Sequence, residues 1–150
     1  MTPDSPAPPR RHFVLGDEAV ALAALDAGIA AAYAYPGTPS TEILETVELH
    51  APTYGAVAHW TANEKTALEQ GLGVSMMGRR VLVAMKHVGL NAAMDAFVNA
   101  ALVGIRGGLV VAVADDPGMH SSQNEQDSRV LADFARIPVL EPADGQEAYD

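Results

Sequence analysis

Val81-Leu82-Val83-Ala84-Met85-Lys86-His87-Val88-Gly89-Leu90-Asn91 joins an unbroken apolar run to an abrupt polar segment containing glycine. Consecutive apolar residues without alternation are the pattern of a parallel strand covered on both faces. Beyond it a helix is predicted over about residues 91–105, apolar around most of its surface and so covered on more than one side. Gly107-Gly108 closes that helix, and the unit then repeats. Leu109-Val110-Val111-Ala112-Val113-Ala114 is a second apolar strand, opening into a long polar loop over residues 115–126. Asp127 is placed to cap a helix running to about Arg136, Ile137-Pro138-Val139-Leu140 reads as a fifth short strand, and Asp144-Gly145-Gln146-Glu147 matches a further helix start.

The same alternation runs upstream. Asp17 is a suitable N-cap for a helix with Val20, Ala24 and Ala27 at helical spacing, ended by Gly28. Residues 29–35 form a short apolar strand that meets the turn Pro36-Gly37-Thr38-Pro39-Ser40, after which Ser40 caps a helix over residues 41–49. Ala56-Val57-Ala58 then feeds His59-Trp60-Thr61-Ala62-Asn63-Glu64, whose helix continues through Leu68, Leu72 and Met76 to Gly78. Strands alternating with helices, roughly 25 to 30 residues apart, predict an α/β fold: a doubly wound, mostly parallel sheet of five or more strands with helices on both faces. Right-handed crossovers then bring all strand carboxyl ends to one edge, where the polar segments 36–40, 61–64, 86–91 and 115–126 converge.

Composition narrows the function. The chain has 150 residues, enough for one domain with a substantial core, and is 49% hydrophobic but only 5% aromatic, so that core is built from Ala, Val, Leu and Ile. A net charge of -10 argues against nucleic-acid or anionic-membrane partners, which need a basic surface, so any anionic ligand has to be held by local groups. The absence of cysteine excludes disulfides and cysteine-ligated metal or iron–sulfur sites within the chain and is compatible with a cytoplasmic location. No apolar run approaches the roughly 20 residues that span a bilayer. The proline-rich residues 1–11 lack the apolar centre of a signal peptide and are expected to be a disordered tail, leaving residues 12–150 as the domain. The chain stops as a helix begins at Glu147-Ala148-Tyr149-Asp150, so a truncated segment of a longer polypeptide is expected.

Glu64 is the residue whose role decides the function. Thr61-Ala62-Asn63-Glu64 fits a capping box in which Thr61 caps the helix and Glu64 reaches back to the Thr61 N–H, a purely structural task. The position also lies just beyond a strand's carboxyl end, where ligands of open α/β sheets collect. His59, His87 and His120 each follow a strand but lack close His/Glu ligand spacing, so no metal site is expected. Gly71-Leu72-Gly73 falls within a helix and is not a dinucleotide fingerprint.

Taken together, Gly16-Asp17-Glu18-Ala19, Tyr35-Pro36-Gly37-Thr38-Pro39-Ser40, Trp60-Thr61-Ala62-Asn63-Glu64-Lys65, Met85-Lys86-His87-Val88-Gly89-Leu90-Asn91, Ala114-Asp115-Asp116-Pro117-Gly118 and His120-Ser121-Ser122-Gln123-Asn124-Glu125-Gln126-Asp127 resemble the pyrimidine-binding domain of thiamine-diphosphate enzymes. The match is nearest to the amino-terminal part of the alpha subunit of the indolepyruvate ferredoxin oxidoreductases and covers nearly everything from Gly16 onward. The resemblance implies that Glu64 hydrogen-bonds the N1' nitrogen of the cofactor's aminopyrimidine and favours its imino tautomer, which takes the thiazolium C2 proton. It further implies cofactor contacts from Pro36, Gly37, Gly89, Leu90 and Asn91, with Asn91 equally able to serve only as an N-cap. Thr38, Lys86, His87, His120 and Ser121 are the implied substrate-side residues.

The complete enzyme implied by this resemblance decarboxylates a 2-oxo acid oxidatively, forms an acyl thioester on coenzyme A and reduces ferredoxin. It needs a diphosphate-binding domain with magnesium and [4Fe-4S] clusters held in an iron–sulfur domain or partner subunit; an oligomer is expected. No Gly-Asp-Gly diphosphate motif and no cysteine occurs here, so the chain alone is expected to be catalytically incomplete. Two other readings stay open: a non-catalytic assembly domain of the same fold, and a flavodoxin-like nucleotide-binding module, for which no Gly-rich phosphate loop is present.

Overall fold

β3 (Val81–Lys86) is the centre of the molecule: Val81, Leu82, Val83, Ala84 and Met85 are all buried, as its unbroken apolar run requires. A computed structural model describes residues 12–150, so the tail expected over residues 1–11 lies outside the described residues. In chain order the elements are α1 (Gly16–Asp26), β1 (Ala31–Ala34), α2 (Thr41–Tyr54), β2 (Val57–Trp60), α3 (Glu64–Met76), β3, α4 (His87–Val103), β4 (Leu109–Ala114), α5 (Ser128–Ala135) and α6 (Gly145–Tyr149).

Among the described residues the sheet has four parallel strands in the order β2-β1-β3-β4, with Tyr33 beside both His59 and Val83, and Ala84 beside Ala112. Alternate residues feed two cores. Ala32, Ala34, Leu82 and Ala84 meet Ala21, Leu25, Ile43, Leu44 and Val47 of α1 and α2 on one face. Val83 and Met85 meet Ala67, Leu68, Leu90, Ala93 and Phe97 of α3 and α4, with Ala132 of α5, on the other. Helices thus cover both faces, as predicted.

The fifth strand does not form. Residues 137–140 carry no strand pairing, and Val139 and Leu140 are 46% and 93% exposed. Pro138 removes a ladder donor from the segment, and β4 is left as the sheet edge. Other boundaries shift for local reasons. α1 starts from Leu15, whose N–H donates to the Glu18 carboxylate at 2.6 Å, so Asp17 lies inside the first turn and is not the N-cap. α2 runs five residues beyond the predicted Leu49, through Pro52, to the left-handed Gly55.

The chain leaves β1 through α2 toward β2, then crosses behind β1 through α3 to reach β3 on its other side. The direction of winding therefore reverses between β1 and β3, the position where open α/β sheets hold their ligands.

Gly71 has a packing duty in this arrangement. An added Cβ would fall 2.5 Å from Cγ2 of Val83, in the middle of the sheet. Relief of that overlap costs about 1–3 kcal/mol and exceeds the ~1 kcal/mol of helix propensity gained, so Gly71→Ala is expected to lower the urea unfolding midpoint.

Candidate functional site

Glu64 is the first residue of α3, and its cap is not the predicted one. The Thr61 N–H donates to the Ala34 carbonyl at 2.8 Å and so continues the β1–β2 pairing, while the Thr61 hydroxyl turns to carbonyls of Ala34 and Asn63. Asn63 caps the helix instead, its side chain accepting the Thr66 N–H at 2.9 Å. The box with Thr61 is thereby excluded, and no hydrogen bond or ion pair among the described residues engages the half-buried Glu64 carboxylate.

That carboxylate lies over the start of α4. A Cβ built on Gly89 would stand 2.5 Å from both Cγ and Oε1 of Glu64, so only glycine leaves room. α4 begins at His87, directly off β3 and four residues before the predicted Asn91, with Lys86 in the cap position and no side chain capping it. Glu64 thus belongs to the first turn of one helix and rests on the first turn of the next, where both dipoles favour negative charge.

The other expected residues divide around this contact. The turn after β1 closes on itself through Ser40 Oγ to the Gly37 carbonyl at 2.8 Å and Gly37 N–H to Thr41 Oγ1 at 3.1 Å; its Thr38–Pro39 peptide is cis. Gly37 packs on the Lys86 stem, 2.9 Å from Cδ to an ideal Cβ, so the turns after β1 and β3 touch across the winding reversal. Pro36 is exposed beside Gly37. Leu90 is buried in the second core, and Asn91 lies within α4, which rules out an N-cap role for it. Thr38 lines a separate hollow of about 430 Å³ with Leu15, Asp17, Glu42 and Asp115.

The loop after β4 is tied back to α4 at several points. Asn91 and Gln126 exchange amide hydrogen bonds of 2.9 and 3.0 Å, and Gln126 also donates to the His87 carbonyl at 3.1 Å. Lys86 Nζ donates to the Ser121 carbonyl at 2.9 Å. Asp116 organises the turn by accepting from Ser121 N–H at 2.8 Å, Ser122 Oγ at 2.8 Å and His120 N–H at 3.1 Å; the Ser121 bond, then that of Ser122, hold its carboxyl down at about 2. Asp115 accepts the Ser128 N–H at 3.0 Å, at the start of α5. His87 is fully buried and its Nε2 faces Asn124, whereas His120 is exposed.

Sequence reasoning passed over Asp17, Glu42, Asp116, Asn124 and Gln126. Asp17 and Glu42 belong to different helices and meet only through the packing of α1 on α2; burial first, then Glu42, push the Asp17 carboxyl up to about 6. The cluster of Asp, Pro, Gly and Ser at residues 115–122 was a turn signal that could have marked Asp116. Among the described residues no group of three His, Cys, Asp or Glu side chains is placed to hold a metal ion, and no helix is long and apolar enough to cross a membrane.

Comparison with known proteins gives the arrangement a context. The profile of the family described as "Pyruvate flavodoxin/ferredoxin oxidoreductase, thiamine diP-bdg" matches residues 22–150. The chain is similar to the indolepyruvate oxidoreductase subunit IorA of Pyrococcus horikoshii, at 51% identity over 143 residues, covering 95% of this chain and 22% of that subunit. The subunit of the same name from Archaeoglobus fulgidus is 49% identical over 142 residues, covering 92% and 23%. Among solved structures, a 2-oxoglutarate:ferredoxin oxidoreductase from Magnetococcus marinus, with 2-oxoglutarate, coenzyme A and succinyl-CoA bound, superposes with a TM-score of 0.67 at 26% identity, over 79% of this chain and 21% of that one. The chain therefore spans about a fifth of the length of these relatives.

Two outcomes test the geometry. Gly89→Ala introduces no backbone strain in a helix, so unfolding free energy is expected to stay within ~1 kcal/mol while the carboxyl 13C resonance of Glu64 moves as that side chain is displaced. Asp17 holds its proton more tightly folded than unfolded, so its ionisation removes stability as pH rises from about 4 through about 6. Asp17→Asn is expected to stabilise the protein at pH 7, by on the order of 1 kcal/mol after solvent screening, and to have little effect at pH 4.

Proposed function

Because the chain belongs to the thiamine-diphosphate-binding family of the pyruvate flavodoxin/ferredoxin oxidoreductases, we propose that it is the pyrimidine-binding domain of a 2-oxoacid:ferredoxin oxidoreductase acting on arylpyruvates such as indolepyruvate. The complete enzyme would release carbon dioxide, form an acyl thioester on coenzyme A and pass electrons to ferredoxin. The observation that carries this reading is the Glu64 carboxylate lying on Gly89 without a hydrogen-bond partner of its own among the described residues.

The residues fit the cofactor. Gly37 and Gly89 provide two positions without side chains beside the winding reversal, and Glu64 offers a free carboxylate to a ring nitrogen. Thiamine diphosphate, when bound, supplies a carbon nucleophile and an electron sink for decarboxylation. Glu64 accepts a hydrogen bond from a protonated pyrimidine N1', and the two helix starts around it keep a negative charge available there. The turn at residues 36–38 and the backbone at Gly89 shape the floor, and Leu90 holds that backbone in place from inside the core. Lys86 is the cation for a substrate carboxylate: its single hydrogen bond to Ser121 leaves two N–H groups open, and it has no carboxylate partner among the described residues. His120, Ser121 and Thr38 lie on the same sheet edge, toward the substrate.

The diphosphate with its magnesium, and the iron–sulfur clusters, belong to other domains or a partner subunit, in keeping with relatives of which this chain covers only 22%. The enzyme is assigned to the cytoplasm as an oligomer. Glu64→Gln in the full-length enzyme tests the reading: exchange of the cofactor's C2 proton, followed by NMR, is expected to slow at least ~100-fold. Exchange at the wild-type rate would remove Glu64 from the chemistry.

A further inference from the structure

His87 is the only histidine among the described residues that is completely buried. Nε2 stands 3.0 Å from both the backbone carbonyl and the side-chain Oδ1 of Asn124. Two acceptors at one ring nitrogen assign the proton to Nε2 and leave Nδ1 as the lone-pair acceptor; Nδ1 is buried and has no partner. A bare buried acceptor is a cost, and an apolar side chain of similar volume would avoid it. What histidine supplies in exchange is reach: a donor that extends from the first residue of α4 to the middle of the loop after β4.

The neighbouring side chain holds the same loop. Lys86 donates to the Ser121 carbonyl, three residues before Asn124, and Gln126 closes the far side on the His87 carbonyl and Asn91. Between these ties, Asp116 gathers His120, Ser121 and Ser122 into one rigid turn. The Lys86 ammonium is therefore located by a carbonyl whose own position depends on the loop, and His87 is the buried anchor of that loop. Glu64 takes no part in this network; its seat is Gly89.

We propose that His87 is a positioning residue: by holding Asn124 it fixes the 115–127 loop and, through Ser121, aims the Lys86 ammonium at the carboxylate of the 2-oxo acid, independently of the contact between Glu64 and the cofactor. This rests on the functional reading above, in which Lys86 receives that carboxylate. It separates the domain into two working parts, one that activates the cofactor and one that selects an anionic substrate.

The test uses the full-length enzyme with its partner subunits and compares His87→Leu, His87→Gln and Asn124→Ala. In His87→Leu, hydrogen–deuterium exchange of amides 120–126 is expected to accelerate and KM for indolepyruvate to rise about tenfold, the effect of one lost polar tie, with kcat within about twofold and C2-proton exchange unchanged. His87→Gln, which returns an N–H donor to the Nε2 position, restores most of both. Asn124→Ala lies outside the core and keeps the backbone carbonyl, so it shifts both readouts in the same direction by less, and it carries the test should His87→Leu fail to fold. Unchanged loop exchange, unchanged KM, or a fall in C2-proton exchange parallel to the rise in KM overturns the proposal. A wild-type enzyme that turns over no 2-oxo acid would sink the functional reading instead, while the amide exchange rates would still decide whether His87 holds the loop.

Discussion

The approach of α3 to α4 at their first turns is the constraint on which the site depends. β2 and β3 are not neighbours in the sheet, so α3 has to cross behind β1 to connect them, and it then shares a face with α4, which leaves β3 at once. Ala67 and Leu68 of α3 and Leu90 and Ala93 of α4 are in one buried cluster with Val83 and Met85, which sets how closely the two helices lie. At that separation a Cβ at residue 89 would take the space the Glu64 side chain now occupies. Glycine at 89 leaves that space open and places a carboxylate between two helix starts, in a position made by tertiary packing and not by local sequence.

The same sheet edge supports a second, softer structure. Where the Glu64 seat is made of close-packed atoms, the loop after β4 is made of hydrogen bonds, most of them partly exposed and individually modest. They act together because they share members: Gln126 engages both Asn91 and His87, and Asp116 engages three consecutive residues. The seat is set by steric room at Gly89, whereas the loop is set by hydrogen bonds that one substitution can remove. On the proposed function, that contrast sets a cofactor contact made by packing beside a substrate contact made by a hydrogen-bonded loop.

Much of the fold was legible because β3 and β4 are apolar runs whose ends coincide with the observed strands almost to the residue. The failures have identifiable competitors. Residues 137–140 have strand composition, but Pro138 lacks the N–H a ladder needs and the segment is unpaired. Lys86 and His87 read as a polar loop and displaced the start of α4 to Asn91, because a helix that begins without a side-chain cap gives no N-terminal signal. Thr61 matched a capping box until strand pairing claimed its N–H, leaving Asn63 to cap. Glu64 and Gly89 were each legible from the family resemblance. Their contact was not, since 25 residues and a whole strand separate them in the chain, and the Asp17–Glu42 pair was hidden for the same reason.

On the proposed function, an acidic domain that receives an anionic substrate has to overcome its own field. The chain carries a net charge of -10, and Asp17, Glu42 and Asp115 line a hollow on the same edge as Thr38. Charges separated by more than the Debye length, about 8 Å at physiological ionic strength, are largely screened, so only groups nearer than that act on a bound anion. The local cation is the Lys86 ammonium, with two N–H groups uncommitted; the start of α4 beside it already faces the Glu64 carboxylate. A single mobile lysine on an acidic surface would be a weak selector, because its stem samples many rotamers and its nearest carboxylates would capture it. Here its ammonium is tied to the Ser121 carbonyl and its stem lies across Gly37, where no side chain obstructs it. The loop thus supplies what net charge withholds, a positive group whose position, more than its strength, determines which anion it meets.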